Sequence, residues 1–148
     1  ELWLFGDGSC VQEIKEYCKL NDRIKYFGNT TRDKVLEYER KATLLINIRD
    51  PADSFTKYSF PSKTIEYMLS GTPMLTTRLQ GIPEEYFEYL FALSDVSVES
   101  ITMKLAEILS YSQGYLCEFG NRAQEFIIQN KQSLDVGRKI IQFIEKTI

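Results

Sequence analysis

Histidine is absent from all 148 residues. Its absence removes Ser-His-Asp and Cys-His nucleophile systems and argues against a zinc enzyme. Any catalysis has to draw on carboxylates, backbone dipoles, Lys or Arg side chains, or the substrate itself. Cysteine is scarce: Cys10, Cys18 and Cys117 are odd in number and lack metal-ligand spacing, so they read as reduced thiols of a cytosolic protein. No apolar run approaches membrane-spanning length, and no secretory signal opens the chain. Positive charge is not in excess: the net charge of −3 and pI near 5.1 give no electrostatic case for nucleic acid as the main ligand. Linkers, internal repeats and low-complexity segments are missing too.

What remains is the composition of a globular protein, 43% apolar, 26% charged and 13% aromatic, expected to form a single domain over 1–148. Opening at Glu1 rather than Met, directly before an apolar strand, the chain reads as part of a longer protein. Strands are expected at Leu2–Phe5, Ile24–Phe27, Ala42–Ile48, Met74–Thr76 and Leu90–Leu93. Ala42–Ile48 is mostly apolar, as for a strand covered on both faces. Between them, Ser9 with Gln12 resembles a capping box before a helix that buries Val11, Ile14 and Cys18. A second helix runs from about Thr31 to Arg40 with Val35 and Leu36 inward. The remainder is mainly helical over 98–148: Val98–Leu109, Gly120–Asn130 and Leu134–Ile148, with Val136, Ile140 and Ile144 on the inner face of the last. Strands alternating with helices predict an α/β domain with a parallel sheet.

The densest signal is Tyr58 to Thr77. Pro61 suits a helix start, where its missing N–H has no partner to lose. Ile65, Met68 and Leu69 mark a packing face, Gly71 ends the helix and Pro73 prevents its continuation. The first turn offers free N–H groups and the positive end of a dipole, which suit a diphosphate. Glu66, one turn in and leaning back toward the start, could accept hydrogen bonds from ribose hydroxyls or simply complement the dipole. Lys63 is either a phosphate contact or a solvated charge, and Ser62 either an anion ligand or a cap. Phe55, Tyr58 and Phe60 either line a pocket or cover the sheet edge. Arg49, Asp50 and Asp53 favour a solvated loop over a metal cluster. Gly6-Asp-Gly8 resembles a dinucleotide fingerprint without its third glycine, and a plain strand-to-helix turn accounts for it equally.

In this order and spacing the motifs resemble the C-terminal, donor-binding domain of GT-B-fold glycosyltransferases, the retaining glycosyltransferase family 4 of group 1 type. Leu2 to Gly8 resembles the family's second strand with its Gly-x-Gly turn, and Arg23 to Gly28 its third strand. Val35–Ile48 is similar to the next helix and strand, and Phe60–Thr77 to the Pro-Ser-Lys-x-x-Glu-Tyr-x-x-x-Gly-x-Pro variant of the donor motif, followed by Gly81-Ile-Pro83.

The resemblance implies a Rossmann-like parallel sheet flanked by helices and a hexosyltransferase. It also implies no metal or cofactor beyond a nucleotide-diphosphate sugar of UDP or GDP type. It makes Glu66 the ribose ligand, matching the second carboxylate of a Glu-x7-Glu motif whose first carboxylate falls at Tyr58. Phe60, Pro61, Ser62 and Lys63 then form the diphosphate loop, with Gly6 and Gly8 as the first turn and Phe27 to Asn29 where the base is held. The family's first strand, a loop with Arg and Lys, and the acceptor-binding N-terminal domain are expected before Glu1. In the order 3-2-1-4-5-6 this leaves a central gap and an inactive fragment. A glycan or lipid-linked acceptor and a place in the cytoplasm or at the inner membrane face are the family's setting. Two other readings are a non-catalytic binding module of the same fold and a sugar-nucleotide epimerase, the latter disfavoured by the missing histidines.

Overall fold

The computed structural model describes residues 1–131 and residue 141. The chain divides into two compact units, 1–38 and 39 onward.

In the first unit, β1 (Leu2–Phe5) pairs in parallel with β2 (Ile24–Gly28), Leu2 opposite Ile24, through helix α1 (Val11–Leu20). The helix half-buries Val11, Ile14 and Cys18 as its period predicts. The expected capping box does not form. Cys10 is the N-cap and makes no side-chain cap bond, because the helix starts one residue after the box requires; Gln12 donates to Glu16 instead at 3.2 Å. Trp3, Phe5, Phe27 and Tyr38 form an aromatic cluster, with Phe5 and Phe27 stacked at 4.7 Å. None of residues 1–38 is fully buried, as expected where one helix covers a two-stranded sheet. Helix α2 (Arg32–Lys41) runs across the boundary between the units.

The second unit holds a parallel sheet of β3 (Leu45–Asn47), β4 (Met74–Thr77) and β5 (Phe91–Leu93), with β4 central and Leu45 opposite Met74. The pairings that strands two to six of the order 3-2-1-4-5-6 make among themselves are therefore present. β4 is buried on both faces, and its alternating side chains feed two clusters. Met74 packs with Met68, Ala123 and Ile127; Leu75 packs with Leu93, Ile108 and Leu116. The covering helices are α3 (Ser62–Leu69), α4 (Val98–Ser110) and α5 (Gln113–Asn130). α5 spans both faces by burying Leu116, Gly120, Ala123 and Ile127 along one stripe.

Three expectations are corrected in this unit. β3 is shorter than Ala42–Ile48 and is not covered on both faces: Ile46 is 39% exposed. The ladder begins only where the Leu45 N–H meets the Pro73 carbonyl at 2.8 Å, and β3 is an edge of its sheet. Leu69 is 43% exposed; in so short a helix the buried row is Thr64 and Met68, four residues apart. α5 begins seven residues before Gly120 because the Ser112 hydroxyl caps it, accepting from the Tyr115 N–H at 3.2 Å. The expected helix over 134–148, with Val136, Ile140 and Ile144, lies outside the described residues apart from Ile141.

Candidate functional site

α3 starts without a side-chain cap. Its N-cap is Pro61, in extended backbone at φ −68° and ψ 111°, and the Pro61 carbonyl accepts the Thr64 N–H at 2.8 Å. The N–H groups of Ser62 and Lys63, ahead of that bond, have no intrahelical acceptors. That turn has no acidic residue to complement the dipole and instead carries Lys63, a cation at the positive end. The Lys63–Glu66 pair also runs in the less favourable sense along a helix. A bound anion would reverse the first penalty. Local rules set aside together at one helix start make it a candidate functional site.

Lys63 joins the polar groups of this turn. Its ammonium is hydrogen-bonded to Glu66 Oε1, lies 5.4 Å from the centre of the Tyr67 ring and stands 3.7 Å from Glu39 Oε1. Burial works to lower the Lys63 pKa, but the hydrogen bond and charge of Glu66, with Tyr67 and Glu39 behind them, leave it raised. Tyr67 is pushed up by burial first and then by the carboxylates of Glu39 and Glu66, against Lys63, so its phenol stays neutral.

Glu39 is the residue that sequence reading missed. Only 4% exposed, it sits in the last turn of a helix whose other residues are mostly polar and exposed. Its carbonyl accepts the buried Thr72 hydroxyl at 2.7 Å, which ties Glu39 to the turn after α3. Burial, then the neighbouring Glu66, raises the pKa of its carboxyl, while Lys63 opposes. No local pattern marks it. A glutamate in the segment Arg32–Lys41 reads as solvated until α3 is packed beside it.

The other candidates separate. Ser62 is exposed at the start of α3 beside Lys63, and Glu66 is part-buried one turn on. Pro61 is buried beneath them. Phe60 belongs to the core, its ring 5.2 Å from that of Tyr86. Tyr58 is 90% exposed at the end of a 3-10 turn over Ser54–Lys57, and Phe55 is exposed in that turn. Gly81 props the same loop: a Cβ there would lie 2.3 Å from the Ser59 carbonyl oxygen and 2.9 Å from that of Thr56. Asp50 and Asp53 are exposed, with Asp50 Oδ1 accepting the Ala52 N–H at 2.8 Å.

In the first unit, Gly6 takes φ +112°, donates to the Gly28 carbonyl at 2.9 Å and accepts the Tyr26 hydroxyl at 2.7 Å. The Gly8 N–H donates to Asp7 Oδ1 at 2.9 Å, and Phe27, on its stack, and Asn29 are exposed. Gly6 and Gly8 thus shape the turn after β1.

Residues 1–111 match the family described as glycosyl transferases group 1. The chain belongs to that family. Among solved structures, sucrose-phosphate synthase from Thermosynechococcus elongatus aligns with a TM-score of 0.73 at 16% identity, over 99% of this chain and 38% of that one. At that identity the likeness speaks for the fold, which is α/β of GT-B type. No curated protein matches the chain. The match to the glycosyl transferase family takes in Glu39, Lys63, Glu66 and the Gly81 loop, so the cluster around α3 lies within the family's own segment.

Proposed function

We propose that this chain is the nucleotide-sugar-binding part of a retaining, metal-independent glycosyltransferase that moves a hexose from a UDP- or GDP-type donor to a glycan or lipid-linked acceptor. The observation that carries the reading is the start of α3, an uncapped first turn with Lys63 where a helix disfavours a cation, and Glu66 one turn on. Diphosphate at the free N–H groups would be stabilised by the dipole and by Lys63 as negative charge builds on the leaving group. Glu66 would hold the ribose hydroxyls and so set the distance between base and diphosphate. Positioning the sugar against an acceptor hydroxyl, with water excluded, would supply the rest of the barrier reduction. Membership of the glycosyl transferase family supports a transferase, and the structural neighbour's synthase title is consistent with it.

The acceptor-binding domain is proposed to be elsewhere in the protein, since this chain spans 38% of that neighbour's length. Among the described residues no helix is long and apolar enough to cross a membrane. A second reading, a binding module without turnover, draws on Tyr58, exposed where the resemblance places a carboxylate near the transferred sugar.

Calorimetric titration of the full-length protein with UDP and GDP tests the site. Glu66→Ala is expected to weaken binding by about 1.5–3 kcal/mol, the scale of hydrogen bonds to a charged group, or roughly 10- to 150-fold. Affinity unchanged by Glu66→Ala, or no binding of either nucleotide, would overturn the reading. Transfer from a labelled donor then separates enzyme from binding module.

A further inference from the structure

Glu39 is the only charged residue among the fully buried described side chains, and the donor-binding reading assigns it no task. Neither carboxylate oxygen accepts a hydrogen bond, and the Lys63 ammonium stands 3.7 Å from Oε1, beyond hydrogen-bond range. A carboxylate enclosed with so little compensation is costly, and an uncharged side chain of the same length would avoid the cost. What the charge supplies is a field at Lys63. The Lys63 side chain is 44% exposed and that of Glu39 5%, so a ligand from solvent meets the ammonium with the carboxylate behind it.

Repulsion from that carboxylate grows with the charge of the ligand, and the ligand's charge changes during sugar transfer. Both phosphates of a sugar nucleotide are diesters with one charge each. Transfer breaks the bond from the sugar carbon to the terminal phosphate oxygen, which keeps the electron pair. The acceptor hydroxyl forms the new bond and gives its proton to solvent. The terminal phosphate of the product then carries a second charge above its ordinary second pKa of about 6. We propose that Glu39 is a specificity-determining residue of the donor site, its enclosed negative charge favouring the sugar nucleotide over the nucleoside diphosphate left after transfer and so hastening product release. The inference rests on the reading that a nucleotide diphosphate binds at α3. Discrimination of this kind comes from a repulsive element set behind an attractive one.

The size of the effect follows from the ion pair. A phosphate hydrogen-bonded to Lys63 puts its oxygens about 6–9 Å from the Glu39 carboxylate, the 3.7 Å of the pair plus one hydrogen bond and the breadth of the group. At an effective dielectric near 20 and moderate salt, one added negative charge there is disfavoured about 3- to 20-fold. The charge building on the leaving group feels the same repulsion, but Lys63, in front of the carboxylate, meets it at shorter range. Replacing Glu39 by glutamine removes one unit of charge and leaves every other group of the site in place.

The test is calorimetric titration of the full-length protein with UDP, UDP-glucose, GDP and GDP-mannose at about pH 8, where the terminal phosphate of the product is fully charged. For whichever pair binds, Glu39→Gln is expected to tighten the nucleoside diphosphate about 3- to 20-fold more than its sugar nucleotide. The difference should shrink by about half or more when salt is raised from about 0.05 to 0.5 M. Glu39→Asp keeps the charge and should keep the wild-type affinity ratio within about twofold. A role confined to packing would move Glu39→Gln and Glu39→Asp together and be indifferent to salt; either result overturns the proposal. An unchanged ratio in Glu39→Gln also overturns it and leaves the donor site standing. Glu39→Met, uncharged and of similar length, reads the same ratio if Glu39→Gln does not fold. Binding of none of the four probes overturns the donor reading itself.

Discussion

Replacing Gly120 with alanine tests how the second unit is assembled. Gly120 lies within α5, where alanine is ordinarily the better helix former by about 1 kcal/mol. Its neighbour decides otherwise. A Cβ at this position would lie 2.0 Å from the Gly71 carbonyl oxygen, 2.8 Å from the Gly71 carbonyl carbon and 3.1 Å from Pro73 Cδ. Restoring an ordinary contact of about 3.5 Å means parting two backbones by roughly 1.5 Å. Gly71 cannot swing aside, because it holds φ +76° at the end of α3 and its N–H donates to the Met68 carbonyl at 3.2 Å. Parting would also stretch the 2.6 Å bond from Gln124 Nε2 to the Leu69 carbonyl and loosen Ala123 and Ile127 against Met68. Overpacking costs about 1–3 kcal/mol, and a clash between backbones sits at the top of that range. Net of the propensity gain, Gly120→Ala should lose about 2 kcal/mol. Gly114→Ala, in the first turn of the same helix, is the control, since its Cβ would meet only Ser112 Oγ at 4.0 Å. It should gain about 0.5–1 kcal/mol. Urea denaturation followed by helix ellipticity reads both. The sole tryptophan, Trp3, lies in the other unit, so its fluorescence would miss the effect. Gly120→Ala as stable as wild type, or a shift of the same sign in both variants, would refute the close approach of α5 to α3.

Two further outcomes follow from buried and capping polar groups. Thr72→Val should cost about 1–2 kcal/mol in the same denaturation assay, because the Glu39 carbonyl, one of the last in α2, loses its buried hydroxyl partner; Thr72→Ser should recover most of it. Asp95 should titrate at about 2, below its ordinary 3.8, because the Ser97 and Ser100 hydroxyls and the Ser97 N–H donate to its carboxylate. A lowered carboxyl stabilises the fold fully above 3.8 and loses that contribution as pH falls through about 2; a value near 3.8 by carboxyl NMR titration would dismiss these hydrogen bonds.

Much of the chain was legible from local chemistry. β1, β4, α3 and α4 fall within about one residue of where apolar periods, Pro61 and Gly71 place them. Those signals act over a turn of helix or a pleat, so they need no distant partner. They also put Lys63 and Glu66 together, three residues apart on one helix. Elements whose environment comes from elsewhere were not legible. The shortened β3 follows where β4 begins its ladder, and Gly120 sits inside α5 because Gly71 leaves room for no larger residue. Glu39 gives nothing away in its own segment. The sequence by itself determined the α/β class, the family pattern and the start of α3 at Pro61. Only the tertiary structure enclosed Glu39 as a second carboxylate near Lys63, because burial and charge pairing depend on contacts that no local period encodes.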